Sequence, residues 1–517
     1  MKFVVIALFG LFASVAVATP PPAPTITAAA TDIKQLQFDI TPVPRIGWYE
    51  LWFRALPGAE WVNFANSPSW HPLFRINTQV HLLDWQQARF YVKACNPSGC
   101  TSSNEVGVDG EALDAMGYFK PPRSGPYQYF GFNFAVSQNG KTMAVLAAES
   151  FGGVHGTAAI HVYRKTTSTS GWRHEARIVP STSTSGSGAS VAGDPIAISW
   201  EGDVIAFGSW MENDNTGAVY VFRREYDGWH ESQKITGDNS ENDSFGTNVK
   251  LKEFGAGMQL VVGHGRTGGA HPEGTIEVYT DSSGSPEQFV HVTTVETPEV
   301  AKPAGYCRGF DLSGVGYLVR SCYGGHSPSD FFTQVLTVTT TAPFRYLETA
   351  RLSGGTGGDV AIDFLGERLA VQDFDATALN RVLVFRRDAS GWTREGVLAP
   401  FPAQQSHIGI SGDGKIVAIG STDDTLAGRG PLFAPYENGD PSGSVAVYER
   451  RTSGWRLRRF LKAGANNVLH SFGWEVSLDQ YGRVLAVGSP YDASKTAGID
   501  GDREDTSVPD RGAVWLY

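Results

Sequence analysis

The stretch Gly482–Ser489, "GRVLAVGS", decides the fold, because the chain repeats this pattern six more times. Each copy starts with a turn glycine and continues as a short apolar run, with a small or apolar residue four positions after the glycine, here Ala486. The other copies are "GKTMAVLA" at Gly140, "GDVIAFGS" at Gly202, "GMQLVVGH" at Gly257, "GVGYLVRS" at Gly314, "GERLAVQD" at Gly366 and "GKIVAIGS" at Gly414. Recurrence of this kind predicts one supersecondary unit built seven times.

Each copy is flanked by further short strands. One precedes it, such as "FGWEVSLD", a third follows, such as "GAVYVFRR", and a fourth begins with Gly-Trp, as in "DGWHESQKI". The copies start 62, 55, 57, 52, 48 and 68 residues apart, which indicates loops that tolerate insertions. Four strands per unit predict an all-β, seven-bladed β-propeller, whose Gly-Trp tryptophans fill the gaps that widen between blades away from the axis.

The ends of the repeat region predict how the ring closes. The seventh copy stops at Tyr517, directly after its third strand. The segment 115–121, "AMGYFKP", precedes the first repeat and reads as a spare strand. We therefore expect this segment to pair with the last repeat, so that the propeller occupies residues 115–517.

The N-terminus indicates export. Residues 1–18 carry a lysine, an apolar run and the small-residue triplet Ala16-Val17-Ala18, the pattern of a signal peptide. This run is too short to cross a bilayer. The sequence therefore predicts an exported protein, periplasmic, at the cell surface or secreted, with no membrane span. The formal net charge of -11 also argues against a nucleic-acid partner.

Residues 19–24, "TPPPAP", form a Pro-rich spacer, and residues 25–108 predict a small β-sandwich of short alternating strands. With "GWYELWFR" as its central strand and "YVKACNPSGCTSSNEVGV" as its closing hairpin, this segment resembles a fibronectin type III domain. Ala94 and Asn96 match the Ala-x-Asn ending of that family's strand. Ala88 stands where the family's corner tyrosine would fall, so an immunoglobulin-like sandwich remains the alternative.

The four cysteines favour two disulfides in an exported chain. Cys95 and Cys100 bracket the turn sequence "NPSG", and Cys307 and Cys322 flank two short apolar runs. The alternative, a metal site, would need more Cys or His at close spacing.

The segments "FGFNFAVSQNGKTMAV" and "SFGWEVSLDQYGRVLAVGS" resemble the FG-GAP repeats of integrin α-subunit propellers and their bacterial relatives. The resemblance covers residues 116–517 and is strongest in the first, sixth and seventh repeats. In the third repeat Phe245-Gly246 survives, and the fourth and fifth keep little beyond the spacing. The resemblance implies a surface or extracellular interaction protein.

Integrin-type repeats bind Ca²⁺ through loops of spaced oxygen ligands, and here such loops carry few carboxylates. The turns "SQNG" and "SGDG" read as ordinary hairpin turns. The seventh-repeat insertion is more acidic, and Asp500, Asp502, Glu504 and Asp505 are its candidate Ca²⁺ ligands. We favour a solvated acidic loop over a metal site, and therefore expect no cofactor.

No catalytic motif is present: the sequence has no G-x-S-x-G, no H-E-x-x-H and no P-loop. Four histidines lie in or beside loops that the propeller would place at one end, His155, His264, His271 and His326. Four aromatic residues fall just after second strands and are candidates for ligand contact or for packing, Trp210, Tyr323, Phe374 and Tyr491.

Two functions are compatible with these features. We favour a non-enzymatic adhesion or recognition protein that binds an extracellular protein or glycan through propeller loops. The alternative is a hydrolase or lyase that acts on extracellular polysaccharide, with the fibronectin-like domain as an accessory.

Overall fold

A computed structural model gives the structure of the chain, and the signal-peptide segment lies outside its described residues. The described residues are 19–82, 84, 87–123, 125, 127–149, 157–166, 171–181, 195–237, 243–255, 257–265, 274–281, 288–298, 306–323, 331–339, 344–353, 358–374, 380–398, 407–424, 426–427, 431–432, 436–437, 442–463 and 471–517. Almost all regular structure within them is β, and the two helices are short, Asp109–Asp114 and Glu212–Asn215. Neither helix is long and apolar enough to cross a membrane.

The chain divides into two compact units. The first comprises the described residues up to Thr31, with Gln35–Thr78 and Leu83–Ala112. The second comprises Leu113–Tyr517 and two short earlier segments, Asp32–Lys34 and Gln79–Leu82.

The first unit contains two antiparallel sheets. One has the strands Ile26–Asp32, Gln35–Ile40 and Leu73–Asn77, in that order. The other has the order Val62–Pro68, Trp48–Arg54, Arg89–Asn96 and Gly99–Ser102. Alternate residues of the central strands are buried, for example Tyr49 and Leu51 in one and Phe90 and Val92 in its neighbour. This period of two places one face of the sheet on the core and the other toward solvent.

The second unit is a β-propeller of antiparallel sheets, and its described residues contain seven such sheets, numbered here in chain order. From the innermost strand outward, sheet 1 contains Phe134–Val136, Thr142–Glu149, Thr157–Arg164 and Arg173–Ile178, and sheet 2 contains Ile196–Ile198, Val204–Ser209, Ala218–Glu225 and Gly228–Thr236. In the same order, sheet 3 contains Asn248–Phe254, Gly257–Gly263, Ile276–Thr280 and Val290–Val295, and sheet 4 contains Tyr306–Leu312, Tyr317–Tyr323, Phe331–Val338 and Tyr346–Ser353. Sheet 5 contains Val360–Ile362, Arg368–Phe374, Asn380–Asp388 and Gly391–Leu398. Sheet 6 contains Ile408–Ile410, Ile416–Ser421, Ser444–Arg451 and Gly454–Leu461, and a fifth strand, Pro431–Leu432, is added at its outer edge. Sheet 7 contains Val476–Leu478, Leu485–Ser489, Ala513–Leu516 and Gly117–Phe119. A separate two-stranded pair joins Leu426–Ala427 to Tyr436–Glu437.

The innermost strands form a closed ring. Each contacts the innermost strand of the next sheet, and the strand Val476–Leu478 of sheet 7 contacts Phe134–Val136 of sheet 1. The outer strand of sheet 7 comes from the segment in which the sequence predicts a spare strand. Gly117–Phe119 pairs antiparallel with the last strand of the chain, with Tyr118 opposite Trp515 and both side chains fully buried.

The hydrophobic core lies between neighbouring sheets. One cluster combines Ile160 and Val162 of sheet 1 with Ile205 and Tyr220 of sheet 2, and the same mixing of two neighbours recurs between other sheets. The Gly-Trp tryptophans Trp172, Trp229, Trp392 and Trp455 pack against these clusters, as the sequence predicts. Each sheet therefore buries both faces, which accounts for strands that are apolar at nearly every position.

The Phe-Gly dipeptides form a repeated junction between sheets. At the junction of sheets 6 and 7, the backbone N–H of Phe472 donates to the carbonyl oxygen of Ser442 at 3.2 Å, and the N–H of Gly443 donates to the carbonyl oxygen of Asp424 at 3.1 Å. The bond from Phe472 to Ser442 crosses the junction, where Gly443 and Phe472 form an isolated parallel bridge, and the bond from Gly443 to Asp424 fixes the glycine within its own repeat. Equivalent bridges join Gly217 to Phe245 between sheets 2 and 3, and Gly512 to Phe130 between sheets 7 and 1. All three phenylalanines are fully buried.

Only glycine fits these junctions. Gly443 has a φ of +77°, and a Cβ there would lie 2.1 Å from the carbonyl oxygen of Phe472. A Cβ on Gly420 would lie 2.0 Å from the carbonyl oxygen of Gly473. A left-handed backbone and a direct contact between two main chains both exclude larger residues. The glycine of the Phe-Gly pair is constrained in the same way, because Gly473 has a φ of +92° and a Cβ there would lie 2.6 Å from the carbonyl oxygen of Ser444. Backbone contact between sheets therefore explains the Phe-Gly repeat.

We predict that Gly443→Ala lowers the free energy of unfolding of the propeller by about 3 kcal/mol, because the new Cβ displaces the Phe472 main chain. Gly498→Ala is the matched control, since Gly498 has a φ of +82° but no atom within 4 Å of an added Cβ. It is expected to cost only about 1 kcal/mol, the penalty of the left-handed backbone. Urea denaturation followed by tryptophan fluorescence measures both. Equal losses in the two variants would contradict the junction.

Candidate functional site

The central feature of the propeller is a cavity of about 760 Å³ along its axis. Residues of all seven innermost strands line it, from Phe134–Val136 in sheet 1 to Val476–Leu478 in sheet 7. Its volume is in the range of protein sites for small molecules or for the end of a larger ligand.

One end of the cavity is closed by turns that join the first and second strands of the sheets. We call this end the floor. Trp200 of sheet 2 and Phe364 of sheet 5 meet there, with ring centroids 4.9 Å apart and planes at 71°. Because these rings come from sheets that are not neighbours, their contact spans the axis. Among the described residues no comparable ring contact crosses the opposite end, which we call the open end.

Backbone hydrogen bonds fix the floor turns to one another. The N–H of Phe364 donates to the carbonyl oxygen of Gly412 at 3.0 Å, and the N–H of Gly314 donates to the carbonyl oxygen of Phe364 at 2.9 Å. Equivalent bonds run from Asn139 to Trp200, from Asp413 to Gln480 and from Gln480 to Gln138. The floor is thus a hydrogen-bonded rim with two aromatic rings across it.

Two of the three acidic residues that line the cavity in the described part of the chain, Asp311 and Asp359, hold neighbouring sheets together. Asp311 of sheet 4 accepts the backbone N–H of Ile362 in sheet 5 at 2.9 Å. Asp359 of sheet 5 accepts the N–H of Ile408 in sheet 6 at 2.7 Å. Innermost strands leave backbone donors on their free edge, and these carboxylates supply the missing acceptors. We therefore assign both aspartates to structure.

The open end carries a row of aromatic side chains that we call the aromatic strip, Phe132, Trp474, Tyr491 and Tyr129. Trp474 lines the cavity, and its ring lies 4.3 Å from Phe132 and 6.2 Å from Tyr491, measured between centroids. Tyr491 in turn lies 6.0 Å from Tyr129. The strip therefore runs outward from the cavity along the junction between sheets 7 and 1. Phe132 is buried, and the other three are partly exposed.

Charged groups flank the strip. His407 packs near Trp474, and its Nδ1 lies 3.6 Å from a carboxylate oxygen of Glu475. Burial together with the negative charge of Asp510 raises the pKa of the Tyr129 and Tyr491 hydroxyls. Both phenols are therefore neutral hydrogen-bonding groups at physiological pH.

The loop histidines do not form a metal centre in the part of the chain that the structure describes. His155, His271 and His326 lie outside the described residues. His264 is fully enclosed, with Nδ1 2.9 Å from Asp243 and Nε2 3.2 Å from Glu277. Burial would raise the pKa of Glu277, but hydrogen bonds with His264 and Tyr279 outweigh it and lower that pKa. Both ring nitrogens of His264 face carboxylates, which leaves neither to bind a metal ion.

No three of the four candidate ligands in the acidic insertion, all of which the structure describes, lie within 4.8 Å of one another, and several of them accept backbone hydrogen bonds. Asp500 accepts the backbone N–H of Tyr118 at 2.9 Å, and burial raises its pKa. Asp502 accepts the N–H of Glu504 at 3.0 Å, and Asp505 accepts the N–H groups of Lys495 and Ser507 at 2.8 and 3.1 Å.

Buried Arg511 donates to the carbonyl oxygens of Ser494 and Lys495 and so secures the base of this insertion. Its neighbour Asp492 is also buried, and it accepts the Lys120 ammonium at 2.7 Å. The insertion is therefore held to the propeller by its own buried charges.

Two groups of potential metal ligands occur within the described ranges. Glu50 lies beside Cys95 and Cys100, whose sulfurs are joined in a disulfide and are therefore not thiolate ligands. The second group, Glu225, Asp227 and His230, lies at an exposed hairpin end of sheet 2. Neither group borders the cavity.

Both predicted disulfides are present. Cys95 pairs with Cys100 and Cys307 with Cys322, and each bond joins directly opposite residues of adjacent strands. Cys307 also lines the cavity.

Sequence reasoning identified one member of the strip, Tyr491, and missed the others. Of the remaining aromatic candidates, Tyr323 packs on Phe331 with ring centroids 4.5 Å apart, and Trp210 is partly exposed. The side chain of Phe374 is not among those that the structure describes. The sequence does contain a signal for residues at this end of the cavity, which is the position directly after each Phe-Gly. Phe132, Thr247 and Trp474 occupy this position. Thr247 and Trp474 line the cavity, and Phe132 packs directly on Trp474.

Comparison with known proteins gives no family assignment. No family model and no curated protein matches the sequence. Among solved structures, a chain of the mitotic checkpoint complex matches with 13% identity over 77% of this chain and 92% of that chain, with a TM-score of 0.43. A putative 6-phosphogluconolactonase from Bacteroides uniformis matches with 11% identity over 72% and 99%, with a TM-score of 0.43.

Sqt1 of Chaetomium thermophilum, bound to the N-terminus of the ribosomal protein L10, matches with 15% identity over 72% of this chain and 85% of that chain, with a TM-score of 0.41. The propeller assignment therefore stands on the sheet topology of this chain.

The floor turn of sheet 5 generates a pH prediction. Asp363 is 2% exposed and accepts the N–H of Glu367 at 2.7 Å, and burial raises its pKa to about 6. Its folded pKa thus lies above the unfolded value of about 3.9. The stabilisation from protonated Asp363 is full below that unfolded value and is lost as pH rises through the folded pKa.

We predict that Asp363→Asn, which keeps an oxygen for the Glu367 N–H, has a free energy of unfolding about 2 kcal/mol higher than that of the parent near pH 8. Near pH 4, where Asp363 of the parent is protonated, the two proteins should have the same free energy of unfolding. Urea denaturation at both pH values measures this difference. Asp413→Asn in the corresponding turn of sheet 6 is the control, because Asp413 pairs with Lys415 at 2.9 Å and its loss should not stabilise. An Asp363→Asn protein less stable than the parent near pH 8 would refute the assignment.

Proposed function

We propose that this chain is an exported, non-enzymatic recognition protein that binds an extracellular ligand at the open end of the axial cavity. Its architecture would be a fibronectin type III-like sandwich over residues 25–108 and a seven-bladed, FG-GAP-like propeller over residues 115–517, closed by its N-terminal strand. A protein or a glycan would be the partner, and no cofactor takes part.

Support for the architecture comes from the role of the Phe-Gly dipeptides. The residues that carry the FG-GAP resemblance are those whose backbones bridge neighbouring sheets, at Phe130, Phe245 and Phe472. The seven sheets and the ring of innermost strands agree with seven blades. The two antiparallel sheets of the first unit are compatible with a fibronectin-like sandwich.

Support for export comes from the cysteines. All four are paired in disulfides, and such bonds persist in oxidising compartments. The pattern of residues 1–18 agrees with passage through a secretory pathway.

The observation that carries the binding proposal is the contrast between the two ends of the cavity. The floor is closed by Trp200 and Phe364, whereas the open end presents the partly exposed rings of Trp474, Tyr491 and Tyr129. Partly exposed aromatic side chains beside a pocket are typical of recognition surfaces. Asp311 and Asp359 of the cavity wall are committed to backbone donors, so neither is positioned as a free acid or base.

The test asks whether the chain binds a ligand without changing that ligand chemically. The purified chain is applied to immobilised neutral oligosaccharides and extracellular-matrix proteins, and each retained ligand is recovered and measured for length by mass spectrometry. We predict retention of at least one ligand with its length unchanged, and a Kd at least about tenfold higher for Trp474→Ala.

The control is Trp70→Ala in the first unit, where an 80% exposed tryptophan lies in the other compact unit. It should bind as the parent does. Recovery of shortened oligosaccharides would instead establish the hydrolase or lyase, and equal binding by Trp474→Ala would exclude the open end as the site.

A further inference from the structure

We infer that the aromatic strip binds an uncharged glycan chain, with sugar rings lying on Tyr129, Tyr491 and Trp474. The inference rests on the proposed function, because it names the ligand class for the same end of the cavity. Four observations carry it, and the first concerns the backbone of Tyr129.

Tyr129 occupies a left-handed backbone position that favours small residues. It directly precedes Phe130 of a Phe-Gly junction, and its φ is +48°. At the two equivalent junctions the same position is serine, Ser244 with a φ of +51° and Ser471 with a φ of +49°. A bulky side chain in this conformation is a genuine outlier. Since serine satisfies the same junction elsewhere, tyrosine at this position is explained by what its side chain contacts.

The second observation is that a neighbouring tyrosine shares this unusual geometry. Tyr127, two residues earlier, also has a positive φ of +58° and is 51% exposed. The chain therefore holds two tyrosines in left-handed conformations, one in the strip and one two residues before it. Strained backbone of this kind concentrates at functional sites.

The rings of the strip are not covered by cations, which is the third observation. Elsewhere in the protein, Arg54 lies over Trp61 at 4.7 Å, Lys93 over Trp52 at 3.8 Å and Arg483 over Tyr481 at 4.7 Å. Within the described residues, no cation lies over Tyr129, Tyr491 or Trp474. The exposed parts of these rings therefore offer an apolar surface that suits the C–H face of a sugar.

The fourth observation distinguishes a glycan from an extended peptide. The backbone N–H groups of Tyr127, Tyr129 and Phe130 donate to the carbonyl oxygens of Pro509, Asp510 and Arg511, at 3.4, 3.0 and 3.1 Å. These three backbone donors are therefore not available to an added peptide strand. What remains are ring faces, phenol hydroxyls and carboxylates, which match the apolar faces and hydroxyl edges of a sugar.

The charge of the surroundings selects against acidic glycans. Asp510 lies close enough to the phenols of Tyr129 and Tyr491 to raise their pKa, and Glu475 lies beside Trp474 in the chain. An acidic chain would be repelled by these carboxylates and by the formal net charge of -11.

The experiment measures binding of the full chain to an array of neutral glycans of several sugar types, including cellohexaose, chitohexaose and xylohexaose, with a sulfated heparin oligosaccharide and an oligolysine peptide alongside. We expect binding to at least one neutral glycan and none to heparin. Tyr129→Ser, which copies the residue of the two equivalent junctions, should raise the Kd at least about tenfold while the melting temperature stays equal or rises.

The matched control is Tyr226→Ser, because Tyr226 is fully exposed at the hairpin of sheet 2 and lies outside the strip. It should bind like the parent. Neutral-glycan binding that survives Tyr129→Ser, or binding to oligolysine or to matrix proteins with no neutral glycan retained, would overturn the glycan inference and leave the recognition proposal standing. Retention of no ligand of any class would overturn both.

Discussion

The structure depends on the direct contact between two main chains where one blade meets the next. At three junctions the backbone N–H of a phenylalanine donates to the carbonyl oxygen of the residue before a glycine in the neighbouring sheet, and the glycine itself has no side chain to separate the two main chains. This contact is possible only where the chain has no Cβ, so the repeated Phe-Gly and Gly-containing strands are a steric requirement. It also brings the end of one repeat beside the start of the next, which fixes the order of the sheets around the axis. The seventh sheet completes this order because the strand Gly117–Phe119 supplies its outer edge.

The same junction places the aromatic strip at one end of the cavity. Because each Phe-Gly lies at the start of an innermost strand, the residue after it reaches the open end of the cavity, as Trp474 does. The turns at the other end of these strands meet across the axis through Trp200 and Phe364. The aromatic strip lies at the opposite end of the cavity, at the junction of sheets 7 and 1. The proposed recognition site thus follows from the packing between blades and from the aromatic residues at this one junction.

Much of the fold could be predicted from the sequence because its determinants are local and repeated. The glycine-led octapeptides correspond to the second strands of all seven sheets, and the tryptophans of the Gly-Trp turns pack between sheets. The aromatic strip could not be predicted in this way, since Tyr129 and Tyr491 lie at opposite ends of the repeat region and meet only when the ring closes. Asp500 illustrates the same limit, because its partner is the backbone of Tyr118, which ring closure brings alongside. The sequence places His264 in or beside a loop, and the fold encloses its side chain between Asp243 and Glu277.

The most direct measurement of this account is hydrogen–deuterium exchange at the backbone N–H groups of Phe130, Phe245 and Phe472, followed by mass spectrometry of the native protein. Each group donates to a carbonyl oxygen of the preceding sheet and is buried, so it is released only when that junction opens. In a closed ring no junction opens alone, and the account predicts that all three exchange together at the rate of global unfolding. Exchange of any one of them within minutes, while the strands of the same sheets remain protected, would contradict it.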